Sequence, residues 1–342
     1  MGADQVLSIN LVTADGRFIT ADAKKNRDIF WAVRGGGGST YGVVTSMVFK
    51  AYPKITVSTM SYSMTTGANL TADQFWDAQK AYVDRYEEFA DKGYYSYYRV
   101  RHVNNQTTSD PFALIAPKTT AAELKKAVSP MLKEWESFGV HIEPTIKEYD
   151  DYADAWTDAF PLEGWSIGMR QASRLIPRST IADPKTRTKL VQSLREIHED
   201  GAHLILFNMR NPPGYEEKMD NAVNPAFRKM LMFAIPFVLW NTTDSADKVE
   251  ALSRKLTFDW NPKLRALTPG SGTYMSESDY IEPERPQSFH GDKYARLYDL
   301  KQRWDPDGVF YAQNAVGSED WFMSDELLNH LPSQNSKLCR VS

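Results

Sequence analysis

The sequence predicts an α+β fold: an antiparallel sheet covered by helices. Three observations point there. Strand patterns come in groups along the middle of the chain, Val57 to Met64, then Tyr94 to His102 with Phe112 to Ala116, then His203 to Met209 and Met230 to Trp240. Long amphipathic helices separate these groups, and two or more consecutive strands followed by one helix build antiparallel sheets rather than doubly wound parallel ones. The helices also carry capping residues at their starts, so chemistry and periodicity mark the same boundaries.

Val6 to Val12 alternates apolar and polar residues, Ala14-Asp15-Gly16 supplies turn chemistry, and Arg17 to Thr20 resumes the alternation, which predicts a hairpin. Ala23 to Arg34 reads as a short helix with Ile29, Phe30 and Val33 on one side. Four consecutive glycines end it, and "YGVVTSMVFKAYP" reads as a strand. Thr71 with Gln74 and Thr120 with Glu123 are capping boxes. The first opens a helix carrying Phe75, Tyr82, Val83, Tyr86 and Phe89. The second opens one carrying Leu124, Val128, Met131, Leu132, Trp135 and Phe138, with Gly139 as its stop. Asp183-Pro184 opens a third, through Leu190, Leu194 and Ile197 to Gly201. Pro269 to Trp321 is rich in Gly, Pro, Asp and aromatic residues around one helical stretch, Asp292 to Trp304. Segments of this kind carry sites on a scaffold.

At 342 residues, 42% hydrophobic and 25% charged, the chain has globular composition and length for two structural units. A net charge of -4 with scattered Lys and Arg argues against a nucleic-acid partner. The absence of a long apolar or polybasic run argues against a membrane. One cysteine, Cys339, leaves no disulfide framework and no cysteine-based zinc site, and the six histidines contain no H-E-x-x-H, so no metal is expected. Localisation stays open: no basic-then-apolar leader opens the sequence, while sequons stand at Asn69, Asn105 and Asn241.

The run Gly35 to Gly38 invites a dinucleotide reading, which fails. G-x-G-x-x-G is not met from Gly35, Gly36 or Gly37, and the predicted order is helix, glycines, strand, the reverse of a Rossmann or P-loop turn. Gly37 and Gly42 have P-loop spacing, but Val43 and Val44 stand where Lys and Ser or Thr are required. Two uses remain: a turn needing positive φ, or a close approach of bare backbone to a ligand.

"GADQVLSINLVTADGRFITAD" followed by "NRDIFWAVRGGGGSTYGVVTSMVFKAYP" resembles the latter part of the PCMH-type FAD-binding domain in FAD-linked oxidases of the vanillyl-alcohol-oxidase superfamily, berberine-bridge-enzyme-like branch. "YMSESDYIEP" and "FHGDKYARLYDLKQRWDPDGVFYAQNAVGSEDW" resemble that branch's C-terminal segment. The resemblance implies an FAD-domain end at residues 1–55, a substrate domain at 56–267, a segment returning to the FAD domain at 268–323, and a tail at 324–342. It further implies FAD as cofactor, a small organic substrate giving hydride to flavin, and dioxygen as electron acceptor. Gly36, Gly37, Gly38, Gly42, Val43 and Val44 correspond to the stretch passing the adenine and phosphate portions of FAD, and Tyr311 and Asn314 to near-flavin positions. The candidates for the proton-accepting base are Tyr274, Glu277, Asp279 and Tyr311. The family's pyrophosphate-binding loop, with its flavin-linking histidine and a later cysteine, lies upstream of the portion matched here. A C-terminal piece of an oxidoreductase is therefore expected, and two readings stand: an FAD-dependent oxidoreductase, or a non-catalytic substrate-domain fragment that binds a ligand or partner without holding flavin.

Overall fold

The computed structural model describes residues 1–38, 40–160, 168–211, 219–323 and 337–341. The chain begins with β1 (Val6–Val12) and β2 (Phe18–Asp22), the expected hairpin, and β3 (Val43–Phe49) pairs with the other side of β1 to complete a three-stranded antiparallel sheet. The intervening helix α1 spans Arg27–Val33, shorter than the sequence predicts. Its first expected turn is taken by Asp22, whose carboxylate accepts the N–H groups of Lys24 and Lys25, and by Asn26, left-handed at φ 49°. A side chain that captures nearby backbone donors competes with the helix for them.

The large sheet contains β4 (Val57–Thr65), β5 (Tyr95–Val103), β6 (Gln106–Pro117), β7 (Thr145–Tyr149), β8 (Gly168–Gln171), β9 (Arg174–Pro177), β10 (His203–Asn208) and β11 (Met230–Trp240). Its spatial order is β7-β4-β6-β5-β10-β11-β8, with β9 paired to β11, and every pairing is antiparallel. Antiparallel pairing and helical cover agree with the expected fold class. β6 begins six residues earlier than the apolar pattern at Phe112 suggests, because Asn104 and Asn105, at φ 49° and 61°, close a tight hairpin with β5. Such two-residue turns need positive φ at both central positions, which Asn tolerates.

Helices α2 (Ala72–Val83), α3 (Tyr86–Asp91), α4 (Ala121–Ser137), α5 (Tyr152–Ala159), α6 (Arg178–Ala182) and α7 (Pro184–Glu199) are interleaved with these strands, and α2, α4 and α7 begin at the predicted caps. The helix expected from Thr71 to Phe89 is broken between α2 and α3. Asp84 stands at the break, ion-paired to Lys80 at 2.7 Å and to Arg187 of α7 at 2.5 Å. Phe75, Tyr82, Leu124, Val128, Trp135, Leu190 and Leu194 pack with Tyr98, Leu204, Leu206 and Leu231 into the main core. Alternate residues of the same strands, Ile205 and Phe207 on β10 and Phe233, Ile235 and Phe237 on β11, form a second cluster on the opposite face. Side chains alternate between the faces of a strand, so the continuous apolar run "FAIPFVLW" supplies two apolar faces, one for the helices and one for the site.

The remaining helices are α8 (Ala226–Lys229), α9 (Ala246–Lys255), α10 (Asn261–Ala266), α11 (Arg285–His290) and α12 (Tyr294–Trp304). α12 returns to the N-terminal sheet, where Leu297 and Leu300 enter one core with Ile9, Leu11, Ile29, Phe30 and Tyr41. Two short strands, β12 (Trp321–Met323) and β13 (Leu338–Arg340), pair with each other. Most of the predicted tail, residues 324–336 and 342, lies outside the described residues.

β3 is an edge strand, and all seven of its residues are exposed. Val43 is 55%, Met47 48%, Val48 53% and Phe49 51% accessible, so apolar side chains project on both of its faces beside unpaired backbone groups. Edges of this length are ordinarily blunted by charge, proline or a covering element.

Candidate active site

The four glycines lie between α1 and β3, and the structure gives each its own reason. A Cβ on Gly35, which has φ +123°, would lie 2.3 Å from the backbone nitrogen of Val223. On Gly36 it would lie 2.5 Å from the Ala32 carbonyl and 2.5 Å from Leu297. On Gly37, at φ +101°, it would lie 2.9 Å from the terminal methyl of Met275. On Gly38 it meets nothing within 4 Å. Three glycines are therefore required by packing or backbone conformation, and the fourth faces open space. Of the glycines expected to approach a ligand, Gly37 and Gly38 line the cavity described below, with Gly35 beside them, while Gly36 and Gly42 do not.

The exit of this loop is fixed by α12. Lys301 Nζ donates to the carbonyl of Thr40 at 2.8 Å, to the Asp305 carboxylate at 2.6 Å and to the Phe310 carbonyl at 2.7 Å, while the Tyr41 hydroxyl donates to the Leu297 carbonyl at 2.9 Å. Gly42 has a local cause: a Cβ there would lie 2.7 Å from the Val12 carbonyl of the neighbouring strand. Val43 and Val44 continue into β3 and do not line the cavity described next.

Between the glycine loop and the free face of the large sheet lies a cavity of about 530 Å³. Gly35, Gly37, Gly38 and Val33 form one wall, Phe207 and Phe233 the opposite one, and the segment Tyr274–Glu277 a third. An ion pair ties the turn before β1 to α8. Arg228 of α8 donates to both oxygens of Asp4, at 2.6 and 2.7 Å, and Asn221 donates to the same carboxylate at 2.8 Å. Burial alone would push the Asp4 carboxyl up. The hydrogen bonds from Arg228, the N-terminal ammonium and Asn221 outweigh it and hold the group well below the usual carboxylate range.

Of the four candidate bases, the structure brings Tyr274 and Glu277 to this cavity. The Tyr274 ring stands edge-on to Phe227 and Phe233, with centroids 5.6 and 6.2 Å away. Glu277 closes a short 3-10 turn, Met275–Glu277, and its carboxylate receives no hydrogen bond or ion pair from the described residues. Burial pushes that carboxyl above its ordinary range. Asp279 lies two residues on but is buried away from the cavity, accepting the Ile281 N–H at 3.0 Å, and its carboxyl too is pushed up by burial. Tyr311 donates its hydroxyl to Gln313 at 3.2 Å and does not line the cavity. Asn314, left-handed at φ 68°, donates to the carbonyl of Tyr280 at 3.0 Å and borders a second, smaller cavity of about 70 Å³. Sequence reasoning did not single out Asn224, Phe289 or the site role of His290, all of which line the main cavity.

This arrangement, a glycine loop facing an antiparallel sheet across an apolar cavity with one free carboxylate, defines a class that comparison with known proteins identifies. Residues 273–317 match the family described as "Berberine and berberine like". The chain is 32% identical over 330 residues to the FAD-linked oxidoreductase ZEB1 of Gibberella zeae, covering 95% of this chain and 56% of that protein. It is 29% identical over 344 residues to the FAD-linked oxidoreductase patO of Aspergillus clavatus, covering 100% and 57%. Among solved structures, the VAO-type flavoprotein MtVAO615 from Myceliophthora thermophila C1 superposes with a TM-score of 0.84 at 27% identity, over 99% of this chain and 60% of that one. Residues 273–317 thus carry the berberine-like segment, and the chain as a whole is similar to FAD-linked oxidoreductases and VAO-type flavoproteins. It spans a little over half the length of the curated relatives it matches.

Proposed function

We propose that the protein is an FAD-linked oxidoreductase of the oxidase type, acting on a small, uncharged organic substrate in the cavity between the glycine loop and β11. The observation that carries this is the open side of Gly38 on a cavity whose opposite wall is aromatic. A planar ring can pass a backbone that lacks Cβ atoms, and about 530 Å³ lies in the usual range for small-molecule sites. The residues present therefore fit a flavin ring. When bound, FAD accepts hydride from a substrate carbon, and dioxygen is the proposed final acceptor.

The chain's own residues then have three tasks. Gly37 and Gly38 leave room for the cofactor. Phe207, Phe227, Phe233 and Met230 exclude water and hold the apolar body of the substrate. The Glu277 carboxylate takes the proton from the substrate hydroxyl, a task suited to a carboxyl whose pKa burial has moved toward the working pH. Tyr274 borders the same space and positions the substrate ring. No Lys or Arg side chain is among the described residues lining the cavity, which favours a neutral substrate over a carboxylate or phosphate.

The finer part of the reading concerns how much of the cofactor site this chain supplies. β3 exposes apolar residues and a free edge, the surface expected where the rest of an FAD-binding domain packs. On this reading the 342-residue chain alone contributes one wall and binds FAD weakly. A ligand present at a hundredfold excess over its Kd would add about 2.7 kcal/mol of stability by mass action. Titrating FAD into the isolated chain is expected to leave the thermal midpoint nearly unchanged. A yellow, monomeric preparation stabilised to that extent would show that the chain holds the cofactor by itself.

A further inference from the structure

His290 is the last residue of α11, 2% accessible, and it lines both the main cavity and the smaller one beside Asn314. Neither of its ring nitrogens has a hydrogen-bond partner in the protein. A neutral imidazole always presents one N–H donor and one lone-pair acceptor. Leaving a buried polar atom unsatisfied costs about 1–3 kcal/mol, so two on one ring form a standing penalty. The rings beside it are aromatic, and Arg285, Asn314 and Glu319 share the smaller cavity with it without hydrogen-bonding it. The Tyr294 ring is 5.7 Å away and that of Phe289 6.4 Å, and a phenylalanine at this position would pack among them. The histidine is thus the poorer choice for the fold and the better one for a polar ligand.

We propose that His290 is a binding residue of the cavity, hydrogen-bonding the carbonyl or hydroxyl group of the uncharged ring system that occupies the space between the glycine loop and the sheet. The inference rests on the functional reading above and adds a polar contact to it. Burial holds the imidazole pKa down to about 4, so the ring is neutral above that pH and offers both a donor and an acceptor. Two sources carry this chemistry, the edge of the flavin ring and the substrate itself.

The test compares His290→Phe and His290→Gln with a parent in which this chain is joined to the rest of an FAD-binding domain and loaded with flavin. In the flavin-loaded protein, lost contact to the cofactor is expected to shift the flavin absorption band and speed flavin release about tenfold. Lost contact to substrate is expected to raise the Kd of benzyl alcohol about tenfold, read from perturbation of the flavin spectrum. Each change corresponds to one hydrogen bond of about 1.4 kcal/mol. His290→Gln, which retains a donor and an acceptor, should recover part of whichever effect is seen. Separately, the ligand-free chain should be as stable or more stable as His290→Phe, because two unsatisfied polar atoms are removed. Unchanged flavin release and unchanged benzyl alcohol affinity in His290→Phe overturn the proposal. So does a fall of several degrees in the thermal midpoint of both variants, which marks a structural histidine. A parent joined to the rest of an FAD-binding domain that still takes up no flavin contradicts the functional reading instead, and the midpoints of the ligand-free variants still decide about His290.

Discussion

With the chain joined to the rest of an FAD-binding domain and loaded with flavin, Gly38→Val is expected to fold normally and lose the cofactor, whereas Gly35→Val is expected to lose the fold. The two substitutions add the same side chain three residues apart, and the structure separates them. At Gly35 the new Cβ would lie 2.3 Å from the Val223 backbone nitrogen, and φ is +123°. Val223 cannot move aside easily, because the neighbouring Ala222 N–H is hydrogen-bonded to the Arg34 carbonyl at 3.1 Å. Backbone collision together with a glycine-only conformation should cost roughly 3 kcal/mol or more, a large share of a domain's stability. At Gly38 nothing lies within 4 Å, so valine meets only the cavity. Denaturation midpoints should therefore differ strongly between the variants, while flavin content falls in Gly38→Val despite an unchanged midpoint. If Gly38→Val retains full flavin, the open side of the loop is not cofactor space.

Glu277→Gln is expected to lower turnover by about 10²–10⁴-fold, the usual contribution of a positioned general base. The amide keeps the shape and polarity of the side chain but cannot take a proton. Flavin content and substrate affinity should change little, so the loss should appear in kcat. The pH dependence carries a second signature. A base works in its deprotonated form, so activity should fall as pH drops through the carboxyl's pKa. Burial places that point above the ordinary Glu range, toward neutrality. In Glu277→Gln this acid limb should disappear. An acid limb that survives in the variant would assign the proton to another group, and Tyr274 is the other candidate base bordering the cavity.

The parts of the fold most legible in the sequence were those written locally. Thr71 with Gln74 and Thr120 with Glu123 form the expected reciprocal caps, and β11 occupies Met230–Trp240, the range of the expected strand. The hairpin turn at Asn104-Asn105 was also local, but a turn of two left-handed asparagines is easily passed over between two strand patterns. The glycine run announced a close approach without showing to what. Its packing partners, Val223, Met275 and Leu297, are far along the chain, and only the tertiary structure brings them to the loop. Glu277 and Asp279 look alike in sequence. They diverge because the turn at Met275–Glu277 leaves one carboxylate on the cavity, while the other is used by the Ile281 backbone. His290 lies in the segment "FHGDKYARLYDL" that resembles the family, but nothing in that pattern gives it a role of its own. Its interest comes from being buried without a partner, a property of the packing around α11 that no spacing rule encodes.

The most direct test of the account is a crystal structure of the flavin-loaded protein at a resolution that shows the ring system. The account predicts flavin density in the cavity bounded by Gly37, Gly38, Phe233 and Glu277, with the open side of Gly38 against the cofactor and the Glu277 carboxylate on the substrate side. A flavin ring bound elsewhere on the molecule, with this cavity filled by solvent, would contradict it.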